Sequence, residues 1–142
     1  MKANELMIGD WVLDKAVSDK PVQIEQINEQ NVHYKRGNGY MSAGVELLEP
    51  VPLTAEILEQ NGFVTKDKPD NWTGYRSYKY SEGSTGIVFR LYHDTGKYKW
   101  SGKCEISLNA LPYWIRFEYL HELQHILKSC GIDKEIKIKL ED

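Results

Sequence analysis

Apolar positions in the first fifty residues come in short bursts bounded by turn-forming residues. Trp11-Val12-Leu13 follows Gly9-Asp10, while Val22-Gln23-Ile24-Glu25 and Val32-His33-Tyr34 alternate apolar with polar, the period of a half-buried strand. Gly37-Asn38-Gly39 contains the Asn-Gly pair that favours a tight hairpin, and Val45-Glu46-Leu47-Leu48 closes the series. Five short strands in this span predict an SH3-like small β-barrel or a twisted sheet over residues 1–52.

Pro50-Val51-Pro52 then stops the sheet, because proline has no N–H to donate to a ladder. A short helix follows. Thr54 is placed to cap its first turn, Leu53 and Leu58 have the spacing of a hydrophobic staple, and Asn61-Gly62 supplies a left-handed stop with Phe63 folding back on Leu58. Residues 64–74 are polar and read as a loop.

A second group of strands is expected at Tyr75–Tyr80, Ile87–Tyr92, Tyr98–Trp100, Cys104–Leu108 and Trp114–Phe117, with turns at Glu82-Gly83-Ser84, His93-Asp94-Thr95-Gly96 and Ser101-Gly102. Tyr119–Cys130 reads as a helix ended by Gly131, and Glu135–Leu140 alternates as a last strand. The pattern is α+β throughout: an N-terminal β-unit, a short helix, then, over 53–142, an antiparallel sheet covered by a C-terminal helix. The two parts could equally share one compact domain.

Composition adds little to this, and charge adds more. The 41% hydrophobic and 27% charged content is that of a folded protein. The net charge of -3 argues against a general affinity for nucleic acid or anionic membranes. The charge is nevertheless uneven: residues 1–65 carry five Lys/Arg against ten Asp/Glu, and residues 66–103 carry eight against four. The basic stretch interleaves cations with aromatics, which makes Arg76, Lys79, Tyr98 and Trp100 a candidate binding surface and a nucleic-acid-binding module a candidate function. Alternation also fits a plainer arrangement, in which aromatics face a core and lysines face solvent. Cys104 and Cys130 form no Cys-x-x-Cys pair, the first residues lack the apolar run of a signal peptide, and no stretch has the length of a membrane span. A cytoplasmic protein that does not engage membrane is expected.

Met1-Lys2-Ala3-Asn4-Glu5-Leu6, running through Ile8-Gly9 to Trp11-Val12, together with Pro52-Leu53-Thr54, Gly62-Phe63 and Tyr119-Leu120-His121, resembles a group of small uncharacterised proteins from gut-bacterial genomes and their phages. The resemblance reaches both ends and the centre of the chain. It implies no activity, cofactor or catalytic residue. It does imply that relatives often carry Asn at the His125 position and commonly Gln at the Glu122 position.

His121-Glu122-Leu123-Gln124-His125 is a literal His-Glu-x-x-His. On a helix, residues four apart share a face, so two imidazoles could hold zinc while Glu122 activates its water. A zinc metallohydrolase is therefore a second alternative function. It needs a third ligand, and beyond His125 only Asp133, Glu135, Glu141 and Asp142 are offered, in a turn, a strand and the tail. Gly131 lies six residues after His125, where the extended metalloprotease motif wants three. The apolar stripe Phe117, Leu120, Leu123 and Leu127 accounts for the same segment as a packing helix, with His121 and His125 at its border. Gly83-Ser84-Thr85-Gly86 lacks the Lys-Ser/Thr of a phosphate loop. The sequence thus predicts a non-enzymatic accessory or interaction protein with an unidentified protein partner, and no catalytic residue, metal ligand or cofactor is assigned.

Overall fold

The computed structural model describes residues 1–65, 75–82, 85–93, 100–108 and 114–139. It is α+β and its strand pairs are antiparallel. The chain divides into two compact units, one formed by Met1–Val51 with Tyr119–Ile126 and the other by Pro52–Glu118 with Leu127–Lys139.

In the first unit, β1 (Trp11–Asp14), β2 (Pro21–Ile27), β3 (Asn31–Arg36), β4 (Gly39–Gly44) and β5 (Leu48–Pro50) form one sheet in the order β4-β3-β2-β1-β5. β4 and β5 are its two edges, so the sheet stays open and the barrel alternative gives way to it. Val12, Ile24, Val32, Tyr34, Ala43 and Leu48 form the core with Leu6. The expected tight β3–β4 hairpin forms, but its two turn residues are Gly37-Asn38 rather than the Asn38-Gly39 pair: Gly37 takes a φ of 59° and Gly39 already pairs with Arg36 in the ladder. One expected strand moves. Val45–Leu47 is a 3-10 turn, and the last strand begins at Leu48. Pro50 ends that edge strand opposite Val12, a place where a missing N–H breaks no second ladder.

The second unit opens with α1 (Ala55–Gln60). The Thr54 hydroxyl accepts the Ile57 N–H at 3.3 Å, and both staple leucines are buried, Leu53 and Leu58 each at 1% exposure. At the other end Gly62 turns left-handed (φ 84°), and the Phe63 and Gly62 N–H groups donate back to Leu58 and Glu59. The sheet β6 (Tyr75–Glu82), β7 (Thr85–His93), β8 (Trp100–Leu108) and β9 (Trp114–Phe117) is a simple meander in chain order. Ser101-Gly102, expected as a turn, lies inside β8. The register slips there, with Leu91 opposite Cys104 but His93 opposite Trp100, so the chain absorbs its glycine in a bulge rather than reversing. Tyr98 and the expected turns at 94–96 and 83–84 lie outside the described residues.

α2 (Leu120–Ser129) begins among the residues of the first unit and ends among those of the second. Its apolar stripe is Leu120, Leu123 and Leu127, each at 0–1% exposure; Phe117, expected in the same stripe, belongs to β9. Gly131 (φ 72°) closes the helix as Gly62 closes α1, with the Ile132 and Gly131 N–H groups donating to Leu127 and Lys128. The segment after it keeps the expected alternation, Ile136 buried between exposed Glu135 and Lys137, but no strand ladder forms there among the described residues. Its backbone pairs instead with the Asn61 side chain.

Candidate functional site

The His-Glu-x-x-His segment occupies the first two turns of α2, where Leu120 and Leu123 fix the buried face and leave the polar residues to the flanks. Glu122 turns back along the helix, and its Oε1 accepts the Tyr119 N–H at 3.1 Å, a capping bond for one of the amides that a helix start leaves without a partner. Leu120 donates its own N–H to the Val51 carbonyl at 2.9 Å.

Gln124 grips the backbone on either side of Asp10. Its Nε2 donates to the Gly9 carbonyl at 2.8 Å and its Oε1 accepts the Trp11 N–H at 3.0 Å. The backbone it holds is shaped by Gly9, whose φ of 96° is a left-handed conformation that a side chain would strain. Gly9 and Asp10 also exchange hydrogen bonds with Ile24 of β2, so the gripped segment is continuous with the sheet.

His125 meets Asp10 itself. Its Nε2 lies 2.7 Å from Asp10 Oδ2, an oxygen that also accepts the Met7 N–H at 2.8 Å. The Asp10 side chain is 3% exposed and that of His125 28%, so the carboxylate is an inner partner and the imidazole is its link toward solvent. A carboxylate withdrawn from water needs such donors, and Asp10 has a charge-capable ring and a backbone amide.

His121 is the exception. It is 6% exposed rather than at the stripe's border, and its Nδ1 is buried without a hydrogen-bond partner. Burial pushes its pKa below the ordinary histidine value; Asp10, Glu122 and Glu5 oppose that push and His125 adds to it. The neutral ring stacks on Tyr119 (centroids 6.1 Å, planes 14° apart) and meets His125 edge-on (5.6 Å, 79°). Both histidines and Glu122 line a cavity of about 440 Å³ with Met1, Glu5, Pro50 and Tyr119.

The two histidines of the motif are thus brought together. Among the described residues, however, no three His, Cys, Asp or Glu side chains converge where a metal could be held. Of the proposed basic surface, three of the four positions lie on described strands. Lys79 is exposed on β6, opposite Val88 and bridged to Val64, while position 76 lies opposite Leu91 and position 100 opposite His93. Positions 76 and 79 are an odd number apart on one strand and fall on opposite faces of the sheet. Asp10, Gln124 and Tyr119 had no local signal as site residues, since the bonds that join them to their partners span more than a hundred positions or lie in the backbone.

Comparisons with family models, with curated proteins and with solved structures returned no match. No helix among the described residues is long and apolar enough to cross a membrane.

Proposed function

We propose that this protein is a non-enzymatic accessory or interaction protein, and that its His-Glu-x-x-His segment fastens α2 to the N-terminal sheet instead of holding a hydrolytic zinc. One observation carries the reading: two of the motif's three functional groups, Glu122 and His125, already have intramolecular partners, and only the buried His121 Nδ1 is left over. Glu122, the would-be general base, caps its own helix, and the His125 Nε2 that would ligate zinc sits 2.7 Å from Asp10. The resemblance to small phage and gut-bacterial proteins agrees with this, because Asn at the His125 position preserves a hydrogen bond to a carboxylate and removes a metal ligand. A strand order β4-β3-β2-β1-β5 with a 3-10 turn just before β5 supports an SH3-like first unit, a fold that by itself assigns no function.

Elemental analysis of protein purified without a histidine tag tests the proposal. The expected result is no stoichiometric metal and an unchanged melting temperature in chelator. Stoichiometric zinc that disappears in His125→Asn would restore the hydrolase.

A further inference from the structure

In the antiparallel first sheet, the β1–β2 loop and the β3–β4 turn lie at the same end. A groove of about 600 Å³ opens there, its lining including Trp11, Pro21 and Tyr34 with Lys20, Lys35 and Arg36. These cations are three of the five Lys/Arg in residues 1–65, a stretch that holds ten Asp/Glu. Of the other two, Lys15 pairs with Glu49 at 3.6 Å and Lys2 lies in the N-terminal segment. Among the described residues neither Lys35 nor Arg36 is paired with a carboxylate, and both are exposed.

Two acids also line the groove, and they differ. Glu25 is exposed, whereas Asp14 is 4% exposed and accepts the Tyr34 hydroxyl at 2.6 Å. Burial and that bond push the Tyr34 pKa up to about 12, so the phenol keeps its proton and stays on Asp14. The exposed charge of the groove is then positive on an otherwise acidic unit. That segregation suits a short anionic ligand, which feels the local cations more than the distant carboxylates beyond a screening length of roughly 10 Å.

We propose that this groove binds an acidic peptide segment, which names the partner chemistry of the interaction function proposed above and rests on it. A nucleic acid fits less well. Its bases need exposed aromatic faces, and here Trp11 is 9% and Tyr34 0% exposed. Its extended phosphate chain would also run over the acidic remainder of the unit. A peptide needs only a few carboxylates at Lys35 and Arg36, with Pro21 and Val22, both half-buried, offering apolar contact in the same groove.

The test is a fluorescence-anisotropy titration of the full chain with a labelled oligoglutamate, an uncharged glycine-serine peptide of equal length and a single-stranded oligonucleotide. Oligoglutamate should bind and the uncharged peptide should not. The double variant Lys35→Glu/Arg36→Glu should weaken binding by about tenfold or more, and Lys35→Gln/Arg36→Gln by less. Lys2→Glu/Lys15→Glu, which changes net charge equally outside the groove, should leave binding close to wild type. Equal loss in both reversed variants, no oligoglutamate binding at low salt, or tighter binding of the oligonucleotide would each overturn the proposal. A failed titration with metal-free protein removes the acidic-peptide site alone, whereas zinc in the elemental analysis removes the interaction reading itself.

Discussion

Each unit is tied to a distant part of its own chain by the same device, a side-chain amide that pairs with backbone, but the two clamps are built the opposite way round. In the second unit the clamp is buried and its target is not. Asn61 is 4% exposed, while Lys137, whose N–H and carbonyl it holds at 2.7 and 2.8 Å, is an exposed residue. The Asn61 Nδ2 also satisfies the Ile57 carbonyl at the end of α1, so the side chain is a helix cap first and a clamp second. In the first unit the clamp is half-buried and its target is half-buried to buried. Gln124 holds the carbonyl of half-buried Gly9 and the N–H of Trp11, which is 9% exposed. The difference lies in what happens on removal. Lys137 is an exposed residue and Trp11 a buried one, so the N–H that Gln124 releases is expected to be the harder of the two to rehydrate, and a buried donor without a partner is the expensive case.

The apolar supports of the two clamps set the largest expected effects. Leu123→Ala in α2 and Leu58→Ala in α1 each remove a side chain that is 0–1% exposed, and each should cost about 2–5 kcal/mol in chemical denaturation. A small loss at either position would mean that helix is not a packed element. The clamps themselves come next. Gln124→Leu should destabilise by about 1–3 kcal/mol, and Asn61→Leu by visibly less; equal losses would break the distinction between dry and hydrated targets. Thr54→Ala should cost about 1 kcal/mol through the lost N-cap on α1.

The smallest effect is in pH dependence and arises in the first unit. Because burial holds the folded-state pKa of His121 below its unfolded value, the unfolded chain binds more protons as pH drops below about 6.5. The stability contribution of the neutral ring is therefore complete above that pH and is lost as pH falls toward the folded pKa. Unfolding free energies measured across this range should decline for wild type and decline less for His121→Gln. Identical slopes would remove His121 as a source of the acid sensitivity.

What was legible in the sequence follows from the range of each interaction. The Thr54 cap, the Gly62 and Gly131 stops and the Asn-Gly turn are bonds between near neighbours, and residue types alone point to them. Val45-Glu46-Leu47 misled because a 3-10 turn and a short strand can share one apolar–polar–apolar pattern. Ser101-Gly102 misled because glycine serves bulges as well as turns. At the candidate site the motif itself was visible, but its meaning depended on Asp10 and Gly9, and nothing local to His125 or Gln124 announces partners at such separations.

Those separations bear on how the first unit is completed during synthesis. The Gln124 and His125 bonds to Gly9, Trp11 and Asp10 close loops of 113 to 115 positions, while every strand pair of the first sheet is made within residues 11–50. Chain leaves the ribosome N-terminus first, at about 5–20 residues per second. All five strands of the first sheet are thus in hand seconds before α2 arrives. Through that interval the Asp10 carboxylate and the Trp11 amide have water as their partner in place of His125 and Gln124. The last-made turns of α2 therefore act as a late lock on the earliest-made sheet.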